Sequence, residues 1–218
     1  MSIIEIKNRL KTVLSFTKYL LNGICIWIMC LFVFACQNKT DKSDLISYLN
    51  DPDNGLKKEK TIGDYKIDIT YYPTNLLIEK EIENGTTPEQ LEIRRNEYER
   101  YNYFILNMSL SGKDVVYKGS TNTEQFSACI NKLNFGLSDY IYALRDKKDT
   151  LNLADYYVPN LYGMRQSTQI LFAFSKSEDN NYQELEITLK ELGFGIGTQK
   201  FSFRKEDIKN IPSLAIIK

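Results

Sequence analysis

From Gln183 to Glu191 the apolar residues Leu185, Ile187 and Leu189 alternate with Glu184, Glu186, Thr188 and Lys190. A two-residue period of this kind lays one apolar and one wet side along an extended chain. It suits an antiparallel sheet with a single covered face, whereas parallel strands are apolar on both sides. Four further strand-like runs share the C-terminal half: Ser138–Leu144, Thr150–Val158, Thr168–Ser175 and Gln199–Arg204. Polar turns such as Asp146-Lys-Lys-Asp149 and Lys176 to Asn181 separate most of them, and links this short predict an antiparallel meander. Gly193-Phe-Gly-Ile-Gly197 is followed by the strand-like Thr198–Phe203 rather than by a helix, so it is expected to be a glycine-softened turn or bulge and not a dinucleotide loop.

The first half mixes strands with helices. Tyr65–Tyr72 alternates and ends at Pro73, and Tyr101–Leu110 sets Phe104, Leu106, Met108 and Leu110 on a core side against Asn107 and Ser109 on a wet side. Asp114–Lys118 is expected to return as its hairpin partner. A helix is expected through Leu76, Leu77, Ile78 and Ile82, closed by Gly85. Thr87-Pro-Glu-Gln90 then reads as a capping box opening a charged helix up to about Arg100, and Thr121-x-x-Glu124 as a second one. Phe126, Cys129, Ile130 and Leu133 follow at helical spacing, which places Cys129 in a core stripe. Ser43 is expected to cap a short helix bearing Leu45, Ile46 and Leu49, and Asp51-Pro-Asp-Asn-Gly55 to be a plain turn. Together these elements predict an α+β fold in which an antiparallel sheet of about six to eight strands is packed by two or three helices. A β-sandwich with helical insertions is the alternative.

The inventory of reactive groups excludes much chemistry. The chain has no His, which removes Ser-His-Asp and Cys-His nucleophilic catalysis and His-based zinc sites. Neither a metal nor a cofactor is expected, and no catalytic residue is assigned. The acidic pairs Glu178-Asp179 and Glu206-Asp207 are expected to be solvated turn charges. Carboxylate or Ser-Lys hydrolysis needs no His and stays as a minor alternative.

The N-terminus supplies an address. Lys7, Arg9, Lys11 and Lys18 precede an apolar run from Leu20 that closes on Val33-Phe-Ala-Cys36. This pattern resembles a bacterial lipoprotein signal peptide, in which positive charge stays cytoplasmic, the apolar run enters the bilayer and a Cys after a small residue is lipidated. Cys36 follows Ala35 and fits, whereas Cys25 and Cys30 follow the large Ile24 and Met29. An uncleaved anchor is the alternative, since a run of about 17 apolar residues is borderline for spanning. Both give the same topology, with the C-terminal domain outside the inner membrane. Under the two-membrane sorting rule of such lipoproteins, Gln37 in place of Asp after the lipidated Cys implies the outer membrane. The segment from Asn54-Gly-Leu to Tyr72-Pro-Thr-Asn-Leu-Leu77 resembles the opening of mature domains in uncharacterised lipoproteins of Bacteroidota.

The expected organisation is therefore a signal peptide at 1–35, the lipidated Cys with a flexible tether and short helix at 36–60, and one α+β domain at 61–218. Removing 35 of 218 residues leaves 183, enough for one core. The signal region carries four of the 28 basic residues and one of the 28 acidic ones, leaving 24 against 27. A net charge this close to zero offers nothing to nucleic acid. Cys129 is then the one free thiol, with no partner for an internal disulfide.

One stretch stands out as a binding surface: Tyr156-Tyr-Val-Pro-Asn-Leu-Tyr162-Gly163. Tyr offers large rigid contact area at small entropic cost. Tyr156 and Tyr162 are expected to point outward, and Tyr157, beside Val158 and Pro159, to pack inward. The expected function is a non-enzymatic accessory lipoprotein that docks other envelope proteins. Capture of a glycan or peptide is the alternative.

Overall fold

The computed structural model describes residues 40–159, 163–176 and 182–214. Among these residues the fold is α+β, with ten antiparallel strands in two sheets and six α-helices. The chain begins with helix α1 (Lys42–Asn50), a 3-10 turn at Pro52–Asn54, and strands β1 (Lys57–Ile62) and β2 (Tyr65–Tyr72). Helices α2 (Thr74–Glu83) and α3 (Pro88–Tyr98) follow, then β3 (Tyr101–Leu110), the two-residue β4 (Lys113–Asp114), and helices α4 (Val115–Gly119) and α5 (Thr123–Phe135). The rest is β5 (Ile141–Arg145), β6 (Asp149–Asn152), β7 (Asp155–Tyr157), β8 (Thr168–Ser175), β9 (Glu184–Leu189), β10 (Gln199–Arg204) and α6 (Lys205–Lys209).

One sheet runs β1-β2-β3-β8-β7 with β4 beside β3, and the other runs β10-β9-β5-β6. The C-terminal strands form hairpins without making one meander. The stretch expected as a single strand over 150–158 breaks at Leu153-Ala154, where β6 leaves the four-stranded sheet and β7 joins the six-stranded one. Ala154 N–H donates to the Ala173 carbonyl at 2.9 Å and fixes that crossing. The sheets share one core. Phe104 of β3 is fully buried, with its ring centroid 5.1 Å from Phe203 of β10, 5.6 Å from Phe172 and 5.4 Å from Tyr71. Ile187 of β9, Ala143 of β5, Leu133 of α5 and Leu45 of α1 close the same cluster.

Local chemistry explains where helices begin. Thr87 caps α3 by accepting from Gln90 N–H at 3.4 Å, with Pro88 in the first turn. At α5 the cap is Asn122, one residue later than expected: its side chain accepts from Gln125 N–H, and Gln125 Oε1 accepts from Thr121 N–H at 3.0 Å. Asp41 rather than Ser43 caps α1, because its carboxylate reaches Asp44 N–H at 2.8 Å. The strand expected over 114–118 stops after Asp114, whose carboxylate accepts from Tyr117 N–H and turns Val115 and Val116, both buried, into a helix. Glu206-Asp207 lies in α6 instead of a turn, and Asp207 is buried, receiving Arg204 Nε and Nη2 at 2.9 and 2.7 Å.

The stretch read as tether and short helix contributes to the core from α1 onward. Leu45, Leu49 and Leu56 are buried, and the compact unit runs from Lys39 to Lys218 rather than from residue 61. At its start Thr40 N–H donates to Ser213 O at 3.0 Å in an isolated parallel bridge.

Candidate functional site

The outer face of the six-stranded sheet is built from residues one out of step with the core. In β3 the buried Phe104, Leu106 and Met108 alternate with the half-buried Tyr103, Ile105 and Asn107. Antiparallel register lines up the outward residues of neighbouring strands into rungs. Asp68, Asn107 and Gln169 form one rung, Thr70, Ile105, Leu171 and Tyr157 the next, and Tyr72, Tyr103, Ala173 and Asp155 the third.

The first rung is a closed polar ladder. Asn107 Nδ2 donates to Asp68 Oδ1 at 2.9 Å, Gln169 Nε2 to Asn107 Oδ1 at 3.1 Å, and Arg165 Nη1 to Gln169 Oε1 at 2.8 Å. Lys57 Nζ stands 3.9 Å from the same Asp68 oxygen. The middle rung is different: Ile105 and Leu171 are half-buried, Tyr157 is 63% exposed, and none of the three packs against the shared core. The third rung meets α3, where the Tyr98 ring stands edge-on to Tyr103 at 6.0 Å and its hydroxyl donates to Glu81 Oε1 at 2.6 Å. Burial, aided by that bond to Glu81, pushes the Tyr98 hydroxyl up to about 12, and burial does the same for Tyr103. Both therefore stay neutral phenols at any physiological pH. The relief is shallow, with a dent of about 40 Å³ between Tyr103, Asp155, Tyr157 and Leu171.

The two adjacent tyrosines of β7 sit opposite to expectation. Tyr156 faces Phe172, itself 1% exposed, so Tyr156 turns inward and donates its hydroxyl to the Asn134 carbonyl at 2.8 Å. Tyr157 faces Leu171 on the outer side. Strand alternation, phased by β8, overrides the local signal of Val158 and Pro159. The Tyr156 N–H, on the free side of the edge strand, is taken at 2.8 Å by the Asp155 carboxylate, which blunts this edge against strand addition. Cys36 and Tyr162 lie outside the described residues, as do Glu178 and Asp179. Ile105, Leu171 and Tyr103 escape sequence reasoning because their neighbourhood depends on three strands. The available signal was the second phase of the β3 alternation, Tyr101-x-Tyr103-x-Ile105.

A second concavity of about 370 Å³ lies between α5 and the Gly193–Gly197 turn, lined by Thr121, Gln125, Cys129, Lys132, Leu192 and Phe194. The turn wraps an internal anion: Glu191 Oε1 accepts from the N–H groups of Gly193, Phe194 and Gly195 at 2.6, 2.6 and 3.0 Å, and Oε2 accepts from Gly197 N–H. Burial raises the Glu191 carboxyl, and the four N–H donors together outweigh it, leaving the group below its ordinary value. Lys132 Nζ donates to Leu192 O at 2.7 Å beneath the Tyr140 ring. Burial pushes the Cys129 thiol up to about 11, so it stays protonated and a poor nucleophile. Among the described residues, no helix is long and apolar enough to cross a membrane, and no cluster of three or more His, Cys, Asp or Glu could hold a metal ion.

No protein-family model matches the chain, and no curated protein matches it. Among solved structures, the chain is similar to a novel protein of unknown function from Burkholderia pseudomallei K96243, with a TM-score of 0.38 and 11% identity over 78% of this chain and 86% of that one. It is also similar to a DUF4426 family protein from Pseudomonas aeruginosa PAO1, with a TM-score of 0.35 and 14% identity over 69% of this chain and 93% of that one.

Proposed function

We propose that the chain is a cell-envelope lipoprotein, anchored through Cys36 in the outer membrane, whose domain is non-enzymatic and docks another envelope protein. The docking surface is the outer face of the six-stranded sheet. The observation that supports this most is the middle rung, where Ile105, Leu171 and the exposed Tyr157 form an apolar row bounded on one side by the satisfied polar ladder of Asp68, Asn107 and Gln169. An apolar, aromatic centre with a polar rim is the anatomy of a protein–protein interface. A dent of about 40 Å³ is far below the roughly 300–1,000 Å³ that encloses a small ligand. The partner that fits is therefore a folded protein with a flat aliphatic or aromatic patch.

The two tyrosines of β7 test this. Tyr157→Ala is expected to leave the melting temperature unchanged, because its ring is already largely in water, while weakening partner binding by about 1–2 kcal/mol or more. Tyr156→Ala is expected to lower stability by about 2–3 kcal/mol, through lost burial and the loss of the hydroxyl's bond to the Asn134 carbonyl. Melting curves and partner titrations of both variants in parallel check the pair, and a destabilised Tyr157→Ala with intact binding would reject the surface.

Ligand capture is the second reading, favoured by the cleft beside α5, whose volume of about 370 Å³ reaches the range of small-molecule sites. Thermal shift against a glycan and peptide panel separates it from docking. For the hydrolase alternative, Ser120 and Lys132 both line this cleft, yet Ser120 Oγ donates to Val116 O and Lys132 Nζ to Leu192 O rather than to each other.

A further inference from the structure

We infer that the domain is lashed directly to the lipid surface by its α1 end, the face around Thr40 and Ser213, and does not swing on a tether. The inference rests on the membrane anchor proposed above. Only Gln37, Asn38 and Lys39 separate Cys36 from Thr40. At Thr40 the chain is already part of the fold: its N–H donates to Ser213 O, Asp41 caps α1, and Leu45 and Leu49 lie in the core. Four residue steps reach at most about 14 Å even when fully extended. A compact unit of this size is roughly 40 Å across. An anchor point held within about a third of the domain's width of the headgroups keeps that side of the molecule near the lipid.

The fold supplies a direction along which the claim can be measured. Helix α1 stands at one end of β2: Lys57 Nζ, opposite Thr70 of that strand, donates to Asn50 Oδ1 at 3.2 Å, and Lys42 pairs with Glu79 and Glu83 of α2, the helix that follows Tyr72. From Tyr72 the strand runs away to Tyr65, about 23 Å at 3.3 Å per residue, and ends in the Gly63-Asp64 turn. Ser43 is therefore close to the lipid and Asp64 remote from it. Charge does not create this orientation. Asp41 and Asp44 lie on the proximal side, and Lys42 is paired with Glu79 at 3.3 Å and with Glu83 at 2.5 Å. These charges of α1 do not draw it to anionic headgroups, and the covalent anchor with its short reach holds that side.

The test uses the full chain, expressed with its own N-terminus and reconstituted into vesicles of phosphatidylethanolamine and phosphatidylglycerol carrying a nitroxide headgroup quencher. With Cys129 changed to Ala, a fluorophore is placed at Ser43→Cys or Asp64→Cys, both exposed positions. Quenching is expected to be several-fold stronger at 43 than at 64, to be insensitive to salt, and to become equal once a flexible Gly/Ser insertion of about 20 residues between Asn38 and Lys39 lengthens the reach to roughly 25 Å more. Equal quenching at the two positions without the insertion, or a difference abolished by salt, overturns the inference. Intact mass of the mature N-terminus separates the two levels. Diacylglyceryl on Cys36 with equal quenching means that the anchor stands and the orientation fails. No lipid and no membrane association overturns both.

Discussion

Replacing Phe104 with Ala is expected to remove about 3–5 kcal/mol of stability, the cost of truncating a fully buried aromatic. Phe104 is 0% exposed, and its ring touches Tyr71 from β2, Phe172 and Phe174 from β8 and Phe203 from the opposite sheet. Edge-on and stacked contacts of this kind add stability beyond the buried area. No neighbouring residue can fill the space without moving a strand, because the ring lies where the two sheets meet. Domains of this size are stable by only about 5–15 kcal/mol, so the variant stands close to unfolding at physiological temperature. Ile105→Ala, one residue along the same strand on the outer face, is expected to cost about 1 kcal/mol or less. Urea melts of the two variants check this, and equal midpoints would mean that the inner and outer faces of β3 are assigned wrongly.

Gly55→Ala is expected to cost about 2–3 kcal/mol from two separate sources. Gly55 has φ of +70°, in the left-handed region, and a side chain there costs about 1–2 kcal/mol. A Cβ at Gly55 would also overlap the Asp207 carboxylate, lying 2.9 Å from its Cγ. Asp207 is buried and held by the Arg204 guanidinium, so it cannot yield without breaking that pair. Gly85 offers the contrast, with φ of +81° and nothing within 4 Å; Gly85→Ala is expected to cost about 1 kcal/mol. In an Asp207→Ala background the two glycine substitutions should cost the same, which a double-mutant cycle measures. A persisting excess at Gly55 would remove Asp207 from the explanation.

The boundaries of β2, β3, β8 and β10 are legible in the sequence because each strand has one face in the core and the other in water or under loosely packed cover. Strand β1 escapes notice for the complementary reason. Lys57-Lys-Glu-Lys60 carries no apolar period, since an edge strand gains its place by pairing with β2 and uses its charges to discourage further pairing. Residues 150–158 read as one strand because every residue there tolerates extension, and only the tertiary arrangement decides that the chain changes sheets at Leu153-Ala154. The α6 helix is short enough that its stability comes from Asp207 meeting Arg204 and the Gly55 backbone, contacts more than 150 residues apart in the second case. The candidate site divides in the same way. A Tyr-rich surface was visible at 156–163, but which tyrosine faces out is set by Phe172, and the apolar row needs Ile105 and Leu171 from strands far along the chain.

Site-specific photocrosslinking in living cells tests the docking surface most directly. With a photoreactive aromatic residue in place of Tyr157 or Ile105, the account predicts one protein adduct of defined mass at both positions, lost on adding Leu171→Glu. None should form from Thr150 on the exposed strand β6 of the other sheet. No protein adduct from either position, or the same adducts from Thr150 as from Tyr157, would contradict the account.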